Sequence, residues 1–358
     1  MKLEARIAKH LPESDDSAGF ALDVEFSASP GITVLFGPSG AGKTLTLDLI
    51  AGFARPDSGR ILLNDVLLFD AAAKVFLKPQ DRDCGYVSQR DSLFPHMTLR
   101  QNLAFAAERR PRLERHRRVQ EMIDRFHLAD VAGRRPASVS GGQRQRCSIA
   151  RTLLTGPKAL LLDEPATGLD ANLRAELFQI LLELRKELEI PLLYVTHDLD
   201  EAVMLGNRML VYEAGKIVQA AEPQMVLSRP ANAKVAQMLG HANILEAEIL
   251  ALDPGRDTSR LRVSLGGGPM GELRGPYLPG HLIGDRVRLV LRADELRVHG
   301  SGGENRLPAV LEKTVERARM TEFRFAGDLV VLASRGERDF RNWFVEFPPE
   351  GLRVLGAT

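Results

Sequence analysis

Over its first two thirds the chain alternates short apolar runs with apolar residues at helical spacing. Ile32, Val34 and Phe36 form one run, and Ala159–Leu162 forms an unbroken one that ends at Asp163. Leu45, Leu49 and Ile50 follow the first run at helical intervals. Leu173, Leu177, Ile180, Leu181, Leu184 and Leu188 predict a core-facing amphipathic helix over Ala171–Ile190. Arg208–Tyr212 and Ile217–Ala220 flank Glu213-Ala214-Gly215-Lys216, which predicts a β-hairpin. Beyond this point the period changes to two. Thr258–Leu265 and Arg286–Leu291 alternate, with further strand-like runs at Leu307–Val315, Leu329–Ser334 and Asn342–Phe347. Sixteen of the 31 glycines fall in Gly240–Thr358. The pattern predicts an α/β domain over residues 1–240 and a small all-β barrel over 241–358, joined near Gly240–Ala242.

Composition narrows the setting. A chain of 358 residues is too long for one comfortable core. Lys+Arg at 48 against Asp+Glu at 47 argues against a protein held to nucleic acid by bulk charge, and no nucleic-acid partner is expected. No apolar run approaches the roughly 18–20 residues of a membrane helix. The candidate Ile61–Phe69 is broken by Asn64 and Asp65. Glu4, Arg6 and Lys9 occupy the place of a signal peptide's apolar segment, so a cytoplasmic location is expected. Cys84 and Cys147 are the only cysteines, which fits neither a disulfide framework nor a zinc site.

The run ending at Phe36 leads directly into Gly37-Pro38-Ser39-Gly40-Ala41-Gly42-Lys43-Thr44. Strand, G-x-x-x-x-G-K-[ST] and helix is the context of a phosphate-binding loop. Its glycines let backbone N–H groups converge on phosphate oxygens, and the helix N-terminus adds a favourable dipole. ATP or GTP is therefore the expected ligand, with Lys43 on the β- and γ-phosphates and Thr44 on Mg²⁺. In Lys158–Pro165 the buried-strand pattern ends in Asp163 and Glu164. After a phosphate loop this pair reads as a metal carboxylate, Asp163, followed by a water-activating one, Glu164. Taken alone, it could equally open a helix.

Ser140-Gly141-Gly142-Gln143 heads a second helix, with Cys147, Ala150, Leu153 and Leu154 on its apolar side. Here the sequence resembles the ATP-binding cassette (ABC) family, whose signature is LSGGQ; Val139 replaces the leading Leu. Gln89 in Gly85-Tyr86-Val87-Ser88-Gln89 matches the family's Q-loop glutamine. His197 in Thr196-His197-Asp198 matches the switch histidine. Asp170 in Thr167-Gly168-Leu169-Asp170 matches the D-loop, with Thr-Gly where the family often has Ser-Ala. The resemblance covers roughly residues 1–240. It implies a P-loop NTPase fold with a RecA-like core and a helical subdomain at about residues 90–157. It also implies ATP and Mg²⁺ as ligands, the metal held through Thr44, Gln89 and Asp163, with Glu164, His197 and Gln89 as the catalytic set. The aromatic that the family places upstream of the loop has no clear counterpart in His10–Gly19, where Phe20 is the nearest candidate.

With one phosphate loop and one signature per chain, the resemblance implies a head-to-tail homodimer in which Ser140–Gln143 of one copy completes the other copy's ATP site. The apolar stretch Leu93-Phe94-Pro95-His96-Met97-Thr98 is implied to receive an integral membrane permease. The chain would then sit peripherally on the cytoplasmic side of the inner membrane, coupled indirectly to a solute-binding protein. The C-terminal third resembles the accessory TOBE or Mop-type domain of such importers. Asn64–Asp70, Pro79–Tyr86 and Leu93–His96 look most like molybdate importer ATPases, while sulfate, ferric-iron and sugar importers share part of this pattern. The other classes are a soluble ABC ATPase of translation or repair and a non-catalytic module that binds ATP without turnover, the latter disfavoured by Glu164 and His197. Arg109, Arg110, Arg112, Arg115, Arg117 and Arg118, interspersed with Glu108, Glu114 and Glu121, read as a solvated helix face, with anionic lipid headgroups as the next alternative.

Overall fold

A computed structural model describes residues 1–13, 19–88, 93–108, 111–240, 242–264, 271–316, 320–334 and 340–355. It divides into two compact units, Met1–Gln224 and Met225–Thr358. The joint thus precedes the expected Gly240–Ala242. The segment Ala233–Met238 is helical, and its Ala236 packs with Val290 and Leu355 of the β-rich unit, which draws the intervening residues to that side.

In the first unit, β1 (Leu3–Leu11) and β2 (Phe20–Ala28) precede the central strand β3 (Gly31–Phe36) and helix α1 (Lys43–Ala51). Strands β4 (Ser58–Leu63), β5 (Val66–Asp70), β6 (Val75–Phe76) and β7 (Cys84–Val87) follow. Helices α2 (Leu99–Ala106), α3 (Arg112–Arg125) and α4 (Gly141–Leu154) make up the helical subdomain. The chain then returns through β8 (Ala159–Asp163), α5 (Ala171–Glu187), β9 (Pro191–Thr196), α6 (Leu199–Leu205), β10 (Arg208–Glu213) and β11 (Lys216–Ala221).

Among the described residues one sheet runs β11-β10-β3-β9-β8-β7, parallel except for the expected β10–β11 hairpin at its edge. An antiparallel sheet runs β2-β1-β4-β5-β6. Leu3, Ile7, Val24 and Phe69 of the antiparallel sheet share one core with Leu49 and Ile50 of α1 and with Leu161 and Leu193 of the parallel sheet. Strands β8 and β9 are buried at every position, which explains why β8 reads as continuous apolar sequence rather than as an alternation. The interruption at Asn64-Asp65 is a two-residue hairpin turn: both residues have positive φ, 48° and 65°, and Leu63 pairs with Val66.

Helix α1 is fixed at its C-terminal end by a cation that the sequence did not single out. Arg82 is 1% exposed. Its Nη1 donates to the carbonyls of Leu49 and Ile50 at 2.8 and 2.7 Å, and its Nε to that of Leu77 at 2.9 Å. A guanidinium on terminal carbonyls complements the helix dipole and satisfies acceptors that the helix leaves open.

Among the described residues the second unit has the expected short strands, arranged in three sheets around one core. Strands β12 (Ala242–Asp253), β13 (Thr258–Ser264), β14 (Gly271–Pro276) and β15 (Arg286–Arg292) are followed by β16 (Arg297–His299), β17 (Arg306–Ala309) and β18 (Leu311–Glu316). Strands β19 (Met320–Phe325), β20 (Leu329–Ser334), β21 (Trp343–Glu346) and β22 (Arg353–Val354) complete it. The sheets run β14-β13-β12-β15-β22, β16-β21-β17 and β18-β19-β20. Leu261, Leu289, Phe325, Val331, Val345 and Phe347 meet between them. The run Leu307–Val315 is two strands rather than one; they part at Val310, which is 70% exposed. Buried Asn243 ties β12 to β20 by bonding both the N–H and the carbonyl of Val330, at 2.7 and 2.8 Å.

Candidate active site

The phosphate-loop residues lie between the end of β3 and the start of α1. Gly42 caps the helix with φ 103°, and a Cβ there would come within 2.6 Å of the Leu22 side chain. Gly40 has φ 78° and open space around it, so its conformation alone calls for glycine. Lys43 is 4% exposed, and its ammonium donates to the carbonyls of Gly37 and Pro38 at 2.7 and 2.8 Å. Burial lowers its pKa, and the charges of Glu164 and Asp163 oppose that shift. A Cβ at Gly42 would lie 3.1 Å from the Phe20 ring, which puts the aromatic candidate beside the loop.

Thr44 Oγ1 donates to Asp163 Oδ1 at 3.0 Å, joining the start of α1 to the end of β8. Burial raises the Asp163 pKa, the Thr44 bond lowers it, and the nearby carboxylates of Glu164 and Asp48 raise it further. These are hard oxygen donors. Mg²⁺ takes one or two protein oxygens and completes its shell with water and substrate phosphates, so a hydroxyl beside one buried carboxylate fits it.

Glu164 is held in an unusual backbone conformation for a side-chain-bearing residue, with φ 45°, directly after β8. Its amide donates to Val195 O on β9 at 3.1 Å. Thr167 Oγ1 donates to Glu164 Oε2 at 3.0 Å, and His197 Nδ1 lies 3.1 Å from Glu164 Oε1. Two neighbouring parallel strands therefore deliver the carboxylate and the imidazole to one another.

The histidine's platform depends on a residue that the sequence reading passed over. Glu201 is 5% exposed and accepts from Thr196 Oγ1 at 2.7 Å and Tyr194 Oη at 2.9 Å. Thr196 Oγ1 accepts in turn from the Asp198 amide at 3.0 Å. The end of β9 is thereby locked to α6 on either side of His197. Burial raises the Glu201 pKa, and its two hydroxyl partners oppose this. Tyr86 Oη donates to Asp48 Oδ1 at 3.0 Å, linking β7 to α1 four residues past Thr44. The helical spacing of Thr44 and Asp48 was the available signal for this pair.

Ser140 caps α4 with a capping box: Gln143 N donates to Ser140 Oγ at 3.2 Å, and Ser140 N to Gln143 Oε1 at 3.0 Å. Gly142 faces Leu173 of α5, where a Cβ would meet side-chain atoms at 3.1 Å. Asp170 caps α5, accepting from Asn172 N and Leu173 N at 3.0 Å each. Among the described residues no hydrogen bond or ion pair joins Ser140–Gln143 to the phosphate loop, Asp163, Glu164 or His197. Gln89, Arg109 and Arg110 lie outside the described residues. At the apolar segment, Phe94 packs edge-on against Phe105, with centroids 5.0 Å apart, and Arg151 covers its ring at 5.1 Å. Phe105 remains 50% exposed. No helix among the described residues is long and apolar enough to cross a membrane.

Comparison with known proteins agrees with this geometry. A family profile described as ABC transporter matches residues 22–167. A molybdenum import ATP-binding protein of Rhodospirillum rubrum is 42% identical over 209 residues, 58% of this chain and 56% of that protein, so the chain spans little more than half that relative's length. A spermidine/putrescine import ATP-binding protein of Nitrosospira multiformis is 38% identical over 82% of this chain and 77% of its own length. A solved dimeric ATP-binding cassette, in a post-hydrolysis state bound to ADP and Pi, shares the fold at a TM-score of 0.54 and 24% identity, covering 62% of this chain and 99% of that one. With its phosphate loop, its paired carboxylates and its second capped Ser-Gly-Gly helix, the chain belongs to the ABC transporter family of ATPases.

Proposed function

We propose that this chain is the ATP-hydrolysing subunit of an importer, peripheral to the cytoplasmic face of the inner membrane and coupled to a separate permease. The observation that carries the reading is the meeting of Glu164 and His197 beside the Thr44–Asp163 pair. Lys43 exchanges its loop carbonyls for the β- and γ-phosphates of ATP. Thr44 and Asp163, with the Q-loop Gln89 in the same role by family resemblance, would hold Mg²⁺, which when bound neutralises charge on the phosphate oxygens. Glu164 accepts a proton from the water that attacks the γ-phosphorus, and ADP departs as the bond to its β-phosphate oxygen breaks. His197 holds the γ-phosphate and the Glu164 carboxylate in line. Among the described residues the signature segment, Ser140–Gln143, makes no hydrogen bond or ion pair to its own copy's site. It serves the opposite site of a head-to-tail dimer, with Asp170 beside that junction.

The permease is received at Leu93–Met97, where the exposed Phe105 extends the Phe94 surface. The β-rich unit acts as a TOBE or Mop-type accessory domain. The imported solute is an oxyanion, with molybdate favoured by the segments Asn64–Asp70 and Leu93–His96 and by molybdenum import relatives at 42% and 40% identity. A polyamine is the second reading, because spermidine/putrescine import relatives match over 78% to 88% of the chain. The test is to purify the chain with its permease and measure ATP turnover with candidate solutes on their binding proteins. Stimulation by molybdate alone supports the first reading and stimulation by spermidine the second. Co-purification with no membrane subunit contradicts both.

A further inference from the structure

The corner between α2 and α3 carries a feature that ATP chemistry leaves unused. A groove of about 670 Å³ lies there. Its ionisable lining is basic throughout: Arg100 from α2, and Arg112, Arg115, His116 and Arg117 from α3. The rest of the lining is apolar, from Ala104, Leu113 and Val119, and Leu113 is 90% exposed.

The acids of α3 lie away from Arg112 and Arg115 but next to Arg117. At about 100° per residue, Glu114 and Glu121 fall on the side of α3 opposite Arg112, Arg115 and Val119 and beside Arg117. Arg100 donates to the neutral side chain of Gln120 at 3.1 Å, and Arg115 to the Glu108 backbone carbonyl at 3.1 Å. Arg112 has no carboxylate partner among the described residues. Arg117 faces Glu121 at 3.5 Å with both side chains open to solvent, a pairing that exchanges readily. Guanidinium forks match phosphate geometry, and clustered arginines around a protruding leucine form the pattern of a surface that meets anionic lipid.

We propose that this groove docks an anionic phospholipid surface, with headgroup phosphates on Arg100, Arg112 and Arg117 and Leu113 entering the acyl boundary. The contact belongs to this chain itself and needs no permease.

Flotation of the purified full chain tests it, with vesicles of phosphatidylcholine alone and vesicles containing about one third phosphatidylglycerol. The chain is expected to float with the anionic vesicles only and to be released by high salt. Arg112→Glu with Arg117→Glu should weaken this partition by about tenfold or more, at about one contact's worth of attraction per basic residue. Leu113→Gln should weaken it several-fold while leaving the salt dependence in place. All these side chains face solvent, so the melting temperature and ATP turnover should match the parent's. Equal flotation with neutral vesicles, or undiminished flotation of the charge-reversed protein, overturns the proposal. So does release from vesicles by millimolar inorganic phosphate, which would assign the site to a free anion. Capture of a polyglutamate peptide without vesicle binding would assign it to an acidic protein segment and overturn it as well.

Discussion

His197 Nδ1 lies 3.1 Å from Glu164 Oε1, so the side chains leaving the ends of two adjacent parallel strands form one unit. Thr167 holds the other carboxylate oxygen, which leaves Glu164 oriented from both sides. If Glu164 takes the proton of the attacking water, Glu164→Gln should lower ATP turnover by about 100-fold or more while leaving ATP affinity within a few-fold. His197→Ala should act on turnover in the same direction. Stopped-flow turnover together with equilibrium nucleotide binding checks both. A Glu164→Gln protein that loses binding instead would remove the proton-acceptor role.

Lys43→Ala should behave differently. It removes the cation that bonds Gly37 and Pro38 and that would meet the phosphates, so binding and turnover should fall together. Titration with a fluorescent nucleotide should show ATP affinity weaker by tenfold or more, at about 1.4 kcal/mol per factor of ten.

Gly42→Ala tests the loop's shape. The residue has φ 103° and its Cβ would lie 2.6 Å from the Leu22 side chain, so strain and collision act together. A cost of about 1–3 kcal/mol is expected for the backbone alone. Thermal melting should show a loss of stability, and nucleotide titration a loss of affinity beyond it.

Glu201 gives a pH prediction. Burial raises its pKa above the ordinary 4.5, so the folded state holds the proton to higher pH than the unfolded state does. Stability from this group is present below the unfolded value and is lost as pH rises through the raised folded value. Glu201→Gln is free of that titration and keeps an acceptor for Thr196 and Tyr194. Relative to this variant, the parent should therefore become less stable as pH rises from about 4.5, with a constant difference once the folded carboxyl has ionised. Paired melting curves across that window check it; a difference that grows as pH falls would contradict it.

The candidate nucleotide site was legible because the chemistry it would carry constrains the chain locally. Phosphate needs glycines at positive φ next to a helix start, and the metal needs a carboxylate at the end of a buried strand; both leave contiguous residues such as Gly37–Thr44 and Ala159–Asp163. The groups that brace the site are not contiguous. Nothing in the sequence around Arg82 or Glu201 says that these charges are buried, since each is balanced by carbonyls or hydroxyls brought in by folding. In the β-rich unit, β12 buries Asn243 and Ala247 beside Leu245 and Ile249, so its apolar alternation is faint and the sequence pattern predicts no strand there. Strand β14 carries Gly, Glu and Arg, and β19 carries Thr, Glu and Arg between its apolar residues, so neither shows a sustained apolar period. The stretch across Val310 looked like one strand because period two cannot show where a ladder changes partner.

Arg82 extends that point to energetics. Arg82→Ala leaves two helix carbonyls without their donor and a void beside Phe76, whose ring lies 4.9 Å from the guanidinium carbon. Leaving a buried acceptor without its donor typically costs about 1–3 kcal/mol. Chemical denaturation should place the loss in the cassette transition, with Arg82→Lys recovering part of it because an ammonium can still reach one carbonyl.

The central claim is that two copies share their ATP sites through Ser140–Gln143, and chromatography of Glu164→Gln with Mg²⁺ and ATP tests it most directly. The account predicts a monomer without nucleotide and a dimer with ATP, with dimer formation abolished by adding Lys43→Ala or by replacing Ser140 with Arg. A protein that stays monomeric with ATP while hydrolysing it at the parent's rate would contradict both the shared site and the role of Glu164.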